Sequence, residues 1–133
     1  METGRSDTSA IKIPFKKKYT AEQRKKECNF IRNKNPDRIP IILEKASLAS
    51  KDDITLDKTK FLANNKSTLG EFFLHVKKRM CIPSTHSLIF IIGGKSIHSG
   101  SELLSVIYKE HIDKEDGYLY MTYMSESTFG SDL

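Results

Sequence analysis

The sequence predicts an α+β domain, in which one sheet packs against helices and an additional helix precedes the first strand. Three observations carry that prediction. The chain has 133 residues, the size of one domain, and combines 38% hydrophobic with 29% charged residues, a balance that excludes both a disordered polymer and a membrane-embedded chain. Apolar residues recur at helical spacing in "STLGEFFLHVKKRM" and crowd into β-branched runs in "RIPIILE" and "SLIFII". The elements run helix, strand, strand, helix, strand, short strand, helix, strand, an order in which two hairpins flank the strongest helix.

Each element has its own local reason. Thr20 followed by Gln23 is a capping-box pattern that starts a helix near Ala21, and Pro36 ends it by Asn35. Cys28 and Ile31 give this helix a narrow apolar stripe, while Arg24, Lys25, Lys26, Arg32 and Lys34 are expected to solvate the rest. "RIPIILE" is apolar at nearly every position and predicts a strand covered on both faces, with Pro40 at its beginning or beside a gap in the ladder. "ASLASKDDIT" reads as a loop and "LDKTKFLA" as a short returning strand. Leu69, Phe72, Phe73, Val76 and Met80 define the clearest amphipathic helix, capped by Ser67 or Thr68, with a basic end that suits the helix dipole. "SLIFII", the turn "GG" and "KSI" form a strand, a turn and a short strand. "SELLSVIYKEH" predicts a helix with Leu103, Val106 and Ile107 inward, and "YLYMTYM" a last strand that must find a central place in the sheet. That order is the order of a ubiquitin-like β-grasp with one or more added N-terminal helices.

Charge is uneven along the chain. Residues 1–38 hold 11 Lys and Arg against 5 Asp and Glu, whereas residues 110–133 hold 1 against 6, so the overall +5 conceals a dipolar arrangement. The basic half suits acidic peptides, anionic lipid head groups or nucleic acid, and charge alone does not separate them. A nucleic-acid reading has no further support, because no aromatic motif is interleaved on one strand and no zinc ligands are spaced for a finger. Cys28 and Cys81 have no metal-type spacing and read as reduced thiols of a cytoplasmic protein. His75, His86, His98 and His111 sit apart, without a paired nucleophile or metal spacing, so neither an enzyme nor a metal site is expected. The polar start "METGRSDTSA" lacks the apolar stretch of a signal peptide, and "LIFII" is far shorter than the roughly 20 residues that span a bilayer. The chain ends "STFGSDL", where Gly130 is a flexible end or a residue made for exposure; taken alone, the glycine leaves both readings open.

Several stretches go beyond pattern. "IRNKNPDRIPIILEKA", "LDKTKFL", "KKRM", "YKEHIDKEDGYLYMTY" and "ESTFG" together resemble the autophagy ubiquitin-like modifier family to which GABARAP belongs, in register from about Phe15 to Gly130. The resemblance implies a flexible tail over 1–14, a ubiquitin-like domain with an N-terminal helical extension over 15–129, and a processed tail over 130–133. It implies that a cysteine protease recognises Phe129 and cuts after Gly130, and that activating and conjugating enzymes then join the new carboxylate to phosphatidylethanolamine. The product would be lipid-anchored on the autophagosome membrane, with no cofactor of its own. The absence of a Cβ at Gly130 would let narrow enzyme clefts approach the reacting carbonyl.

The resemblance also implies docking of cargo receptors through short aromatic-x-x-aliphatic motifs, added as a strand to an exposed sheet edge supplied by "KTKFL". The aromatic pocket maps onto Glu27, Ile31, Pro40, Lys60, Leu62 and Tyr118. Lys58 and Lys60, with Arg38 nearby, would meet acidic residues of the motif. The aliphatic pocket maps onto Ile41, Ala63, Asn64, Ser67, Phe72 and His75, where the family usually has Val-Pro at Ala63 and Asn64 and aliphatic residues at Ser67 and His75. Its wall is therefore more polar here. The loop "SLASKDDIT" is about two residues longer than in GABARAP-like relatives, a length change of small thermodynamic effect. A ubiquitin-like module that docks peptides without being conjugated is the competing expectation.

Overall fold

The computed structural model describes residues 13–47, 49, 53–83, 85–94 and 96–126. Two helices precede the sheet: a single turn, α1 (Phe15–Lys18), and α2 (Ala21–Lys34). The predicted capping box starts α2. The Thr20 hydroxyl accepts from the Gln23 amide at 3.1 Å, and the Gln23 side chain accepts from the Thr20 amide at 2.9 Å.

The first strand, β1 (Arg38–Lys45), is buried on both faces as predicted. Ile39, Ile41 and Leu43 enter the main core, whereas Ile42 joins a second apolar cluster beneath α2. Pro40 tolerates its missing donor for a local reason. The Leu43 amide donates to Thr59 on the hairpin side, so alternation points position 40 the other way, where pairing begins only at Ile41 opposite Leu119. Antiparallel to β1 lies β2 (Lys60–Asn64), which turns Phe61 and Ala63 into the core and leaves Lys60, Leu62 and Asn64 outside.

α3 (Leu69–Arg79) is capped by Thr68, whose hydroxyl accepts from the Glu71 amide at 3.1 Å while Glu71 accepts from the Thr68 amide at 2.8 Å. It buries Leu69, Phe72 and Val76 against the sheet, with the Phe72 ring edge-on to Phe61 at 5.6 Å. Two further strands, β3 (Leu88–Ile92) and β4 (Leu119–Ser125), complete a four-stranded sheet of order β2-β1-β4-β3. The last strand is central and parallel to β1, flanked on its other side by antiparallel β3. This mixed sheet carrying one long helix is the expected ubiquitin-like topology.

Two expectations are corrected. The short strand after the Gly93-Gly94 turn is reduced to one bridge between Ile92 and Ser96. The last helix, α4 (Leu104–His111), begins one residue past Leu103, which is its extended N-cap. The inward stripe is Leu104, Ile107 and Tyr108; Leu103 lies outside the helix on extended backbone, and Val106, about 200° round the helix from Leu104, faces away, so the two are 44% and 45% exposed.

Candidate functional site

The site is built where the N-terminal helices cross the sheet. Phe15, Cys28, Ile42 and Tyr118 form the second apolar cluster, with Ile31 and Tyr120 packed against it. Tyr118 can lie under α2 because the turn before it takes a sharp path. Gly117 has φ +91°, and a Cβ there would come within 3.1 Å of the Cys28 sulfur. Burial, reinforced by the negative charge of Asp116, pushes the Cys28 thiol up to about 11, so at neutral pH it is a packing residue and not a nucleophile.

Arg24 overturns an expectation. Assigned to the solvated face, it is buried at 5% exposure and pairs with the buried carboxylate of Asp116. Its other guanidinium nitrogen reaches Glu115 at 3.3 Å, and Lys16 bonds Asp113 at 2.6 Å. The uneven charge along the sequence is thus partly resolved within the fold: basic N-terminal residues close onto the acidic turn before β4. Asp116 also accepts from the Tyr120 hydroxyl at 2.5 Å and from the Tyr118 amide at 2.9 Å. Burial and the Asp116 hydrogen bond both raise the Tyr120 pKa, so that hydroxyl stays a donor.

The residues assigned to the aromatic pocket come together on this face. Glu27 and Ile31 come from α2, Pro40 from β1, Lys60 and Leu62 from β2, and Tyr118 from the residue before β4. Lys60 Nζ lies 2.8 Å from Glu27 Oε2 and 5.6 Å above the Phe15 ring, while the Tyr118 hydroxyl donates to the other Glu27 oxygen. Burial works to raise the Glu27 carboxyl, but the bonds from Lys60 and Tyr118 outweigh it and hold the pKa below its ordinary value. Pro40 stands opposite Leu62, which is 42% exposed. A groove of about 1050 Å³ meets this face only at Phe15 and Lys60 and runs from there past Tyr19, Glu44, Ala46 and Thr59, away from Pro40 and Leu62. Because β2 is the outer strand, it can take up an added strand directly beside this face.

The six positions of the aliphatic pocket divide. Ile41, Ala63 and Phe72 belong to the main core under α3. Asn64 ends β2 and Ser67 lies in the turn that follows: the Asn64 side chain accepts from the Lys66 amide at 2.8 Å, and the Ser67 carbonyl accepts from the Leu104 amide at 2.9 Å. His75 is exposed on α3. Arg38 opens β1 opposite Asn64, and Lys58 lies 5.3 Å over the Phe61 ring. Phe129 and Gly130 fall outside the described residues.

Sequence reasoning missed Phe15 as part of this site, and with it the Arg24–Asp116 pair. An arginine in a run of basic residues carries no local sign of burial; the sign lay 92 positions away in the acidic turn. Among the described residues, no helix is long and apolar enough to cross a membrane.

A mixed sheet with a central parallel C-terminal strand, with helices packed on it, defines a ubiquitin-like domain. The family model "Autophagy protein Atg8 ubiquitin like" matches residues 23–130. Autophagy-related protein 8 of Mycosarcoma maydis is 43% identical over 120 residues, covering 90% of this chain and 98% of that protein. Autophagy-related protein 8a of Arabidopsis thaliana is also 43% identical over 120 residues, covering 90% and 95%. The crystal structure of Trypanosoma brucei ATG8 superposes with a TM-score of 0.77 at 30% identity, covering 86% of this chain and 96% of that one. The chain belongs to the Atg8 family of autophagy ubiquitin-like proteins.

Proposed function

We propose that this chain is a modifier cut after Gly130 and joined there to phosphatidylethanolamine, and that on the resulting autophagosome-bound form the β2 edge docks receptors. The observation that carries the conjugation reading is the family match, which runs to residue 130, the glycine itself. Hydrolysis of the Gly130–Ser131 peptide bond by a cysteine protease frees the Gly130 carboxylate. Activating and conjugating enzymes pass the acyl group through thioesters, and the lipid amine displaces the last thiol to form an amide. Catalysis belongs to those enzymes. The protein moves from the cytoplasm to a membrane when the amide forms.

The geometry of the β2 edge supports the docking half. A motif lying along β2 would set its aromatic residue between α2 and β2, near Ile31, Pro40, Leu62 and Tyr118. Its acidic residues would compete with Glu27 for Lys60 and meet Lys58 and Arg38. Toward the other end, the polar Asn64, Ser67 and His75 replace methylene contacts, and losing one or two of these costs about 1 to 3 kcal/mol. A weaker or altered preference at the aliphatic position follows.

The test is the C-terminal mass of the protein isolated from cells, alongside its flotation with membranes. A species ending at Gly130 and carrying a phospholipid is the expected result. Membrane attachment undiminished when Gly130 is replaced by a bulkier residue would defeat the conjugation reading and leave a non-conjugated docking module.

A further inference from the structure

His98 and His111, thirteen residues apart in sequence, meet at the end of α4 with their Nε2 atoms 3.1 Å apart. The rings stand nearly perpendicular, and both side chains are mostly buried, at 12% and 22% exposure. His98 is held from behind: its Nδ1 lies 3.0 and 3.1 Å from the two Glu102 oxygens, and Glu102 is fixed in turn by the Ser99 amide at 3.2 Å. A carboxylate in that position accepts a hydrogen bond from Nδ1–H, which keeps the proton on Nδ1 and leaves the Nε2 lone pair pointing at His111. The His111 ring lies against the backbone of Gly93, where a Cβ would come within 3.2 Å of its Nδ1. Glu110 brings a carboxylate oxygen to 3.9 Å from His111 Nε2, and one donor atom from each of His98, Glu110 and His111 falls within 4.8 Å of the others.

We propose that His98, His111 and Glu110 form a zinc site, with Glu102 as the positioning residue behind His98. The geometry suits the ion. Two nitrogens bound at about 2.0 to 2.1 Å in a tetrahedron stand about 3.3 Å apart, close to the spacing already present. Two imidazoles and one carboxylate, with solvent in a fourth position, are a borderline donor set that favours zinc over magnesium or calcium. A hydrogen bond between the rings needs a proton on one Nε2; zinc replaces that proton and uses both lone pairs. Occupancy would clip the segment after the Gly93-Gly94 turn to the C-terminal end of α4. The site lies away from the β2 edge and does not depend on docking or conjugation.

The test is titration of the full chain with ZnCl2, followed by calorimetry and by ¹⁵N spectra of the histidine rings. One ion is expected to bind, with the Nε2 signals of His98 and His111 shifting while His75 and His86 stay in place. His98→Gln and His111→Gln should each weaken binding at least about tenfold, and Glu102→Gln about 10- to 100-fold, as loss of a carboxylate behind a metal-bound imidazole does. Cys81→Ser and His75→Gln should leave it unchanged. Unaltered circular dichroism of each variant shows that the fold is kept, and His98→Gln is conservative enough to fold. No saturable uptake up to about 1 mM zinc, shifts centred on His75 or His86, or full affinity in His98→Gln would overturn the proposal.

Discussion

Replacing Asp116 by Asn removes one charge from the pair that ties α2 to the sheet and leaves the shape nearly intact. Asp116 is 2% exposed and Arg24 5%, so neither can turn to water when its partner is neutralised. The Asn oxygen can still accept from the Tyr118 amide, which keeps the turn, but the guanidinium loses its counter-charge and the Tyr120 hydroxyl loses a charged acceptor. Removing one partner of a buried pair costs about 3 to 5 kcal/mol, against total domain stabilities of about 5 to 15 kcal/mol. With a urea slope of about 2 kcal/mol per molar, the midpoint should fall by about 2 M. The apolar cluster under α2 is small, so the loss should appear first as faster amide exchange in α2, ahead of the sheet. The assay is urea unfolding with residue-resolved hydrogen exchange, repeated for Arg24→Met and for the double variant. Coupling between the two changes should make the double variant's loss clearly smaller than the sum of the singles. A midpoint shift worth under about 0.5 kcal/mol, or strictly additive losses, would refute the claim that this pair holds the helix.

Other consequences are as open to measurement. Leu104→Ala should cost about 2 to 5 kcal/mol in denaturation, whereas Leu103→Ala should stay within about 0.5 kcal/mol, a contrast that checks the helical phase of α4 directly. Thr68→Ala removes the cap of α3 and should lower stability by about 1 kcal/mol, and Thr68→Asn should restore most of it. Acid should loosen the N-terminal helices. For Glu27 and Asp113, burial alone would raise the carboxyls, but hydrogen bonds, led by those from Lys60 and Lys16, hold both below their ordinary values. A depressed carboxyl contributes its full stability above its unfolded pKa and loses it as pH falls through the folded one, so the loss should set in below about pH 4.5. Glu27→Gln with Asp113→Asn should flatten the acid limb of α2 amide protection; an unchanged limb would exclude these two carboxyls as its cause.

Much of this architecture was legible because its signals are local. The capping boxes at Thr20 and Thr68 are complete within four residues, and the β-branched runs at 39–43 and 88–92 mark the strands wherever they pair. The errors arose where a residue's fate is set at a distance. Arg24 is indistinguishable from its basic neighbours until the turn at 113–116 comes up beneath it. Leu103, Val106 and Ile107 are spaced for one helical stripe as well as Leu104, Ile107 and Tyr108 are, and only the docking of α4 on the sheet decides between them. Ser96 keeps a single bridge, and two residues further on His98 meets His111, a contact that no sequence spacing announces. The aromatic face could be mapped residue by residue from the resemblance. What could not be read was that Glu27 and Lys60 join across it.

The central place of β4 has a mechanical corollary. Its neighbours pair with it along both edges, and one of them, β1, runs in the same direction. A pull on the chain beyond Glu126 therefore enters the domain through its innermost strand and loads two ladders lengthwise, so that many bonds must slip together before any one opens. The same placement delays assembly: residue 41 waits for residue 119, and the middle of the sheet stays vacant until the chain has been made through β4.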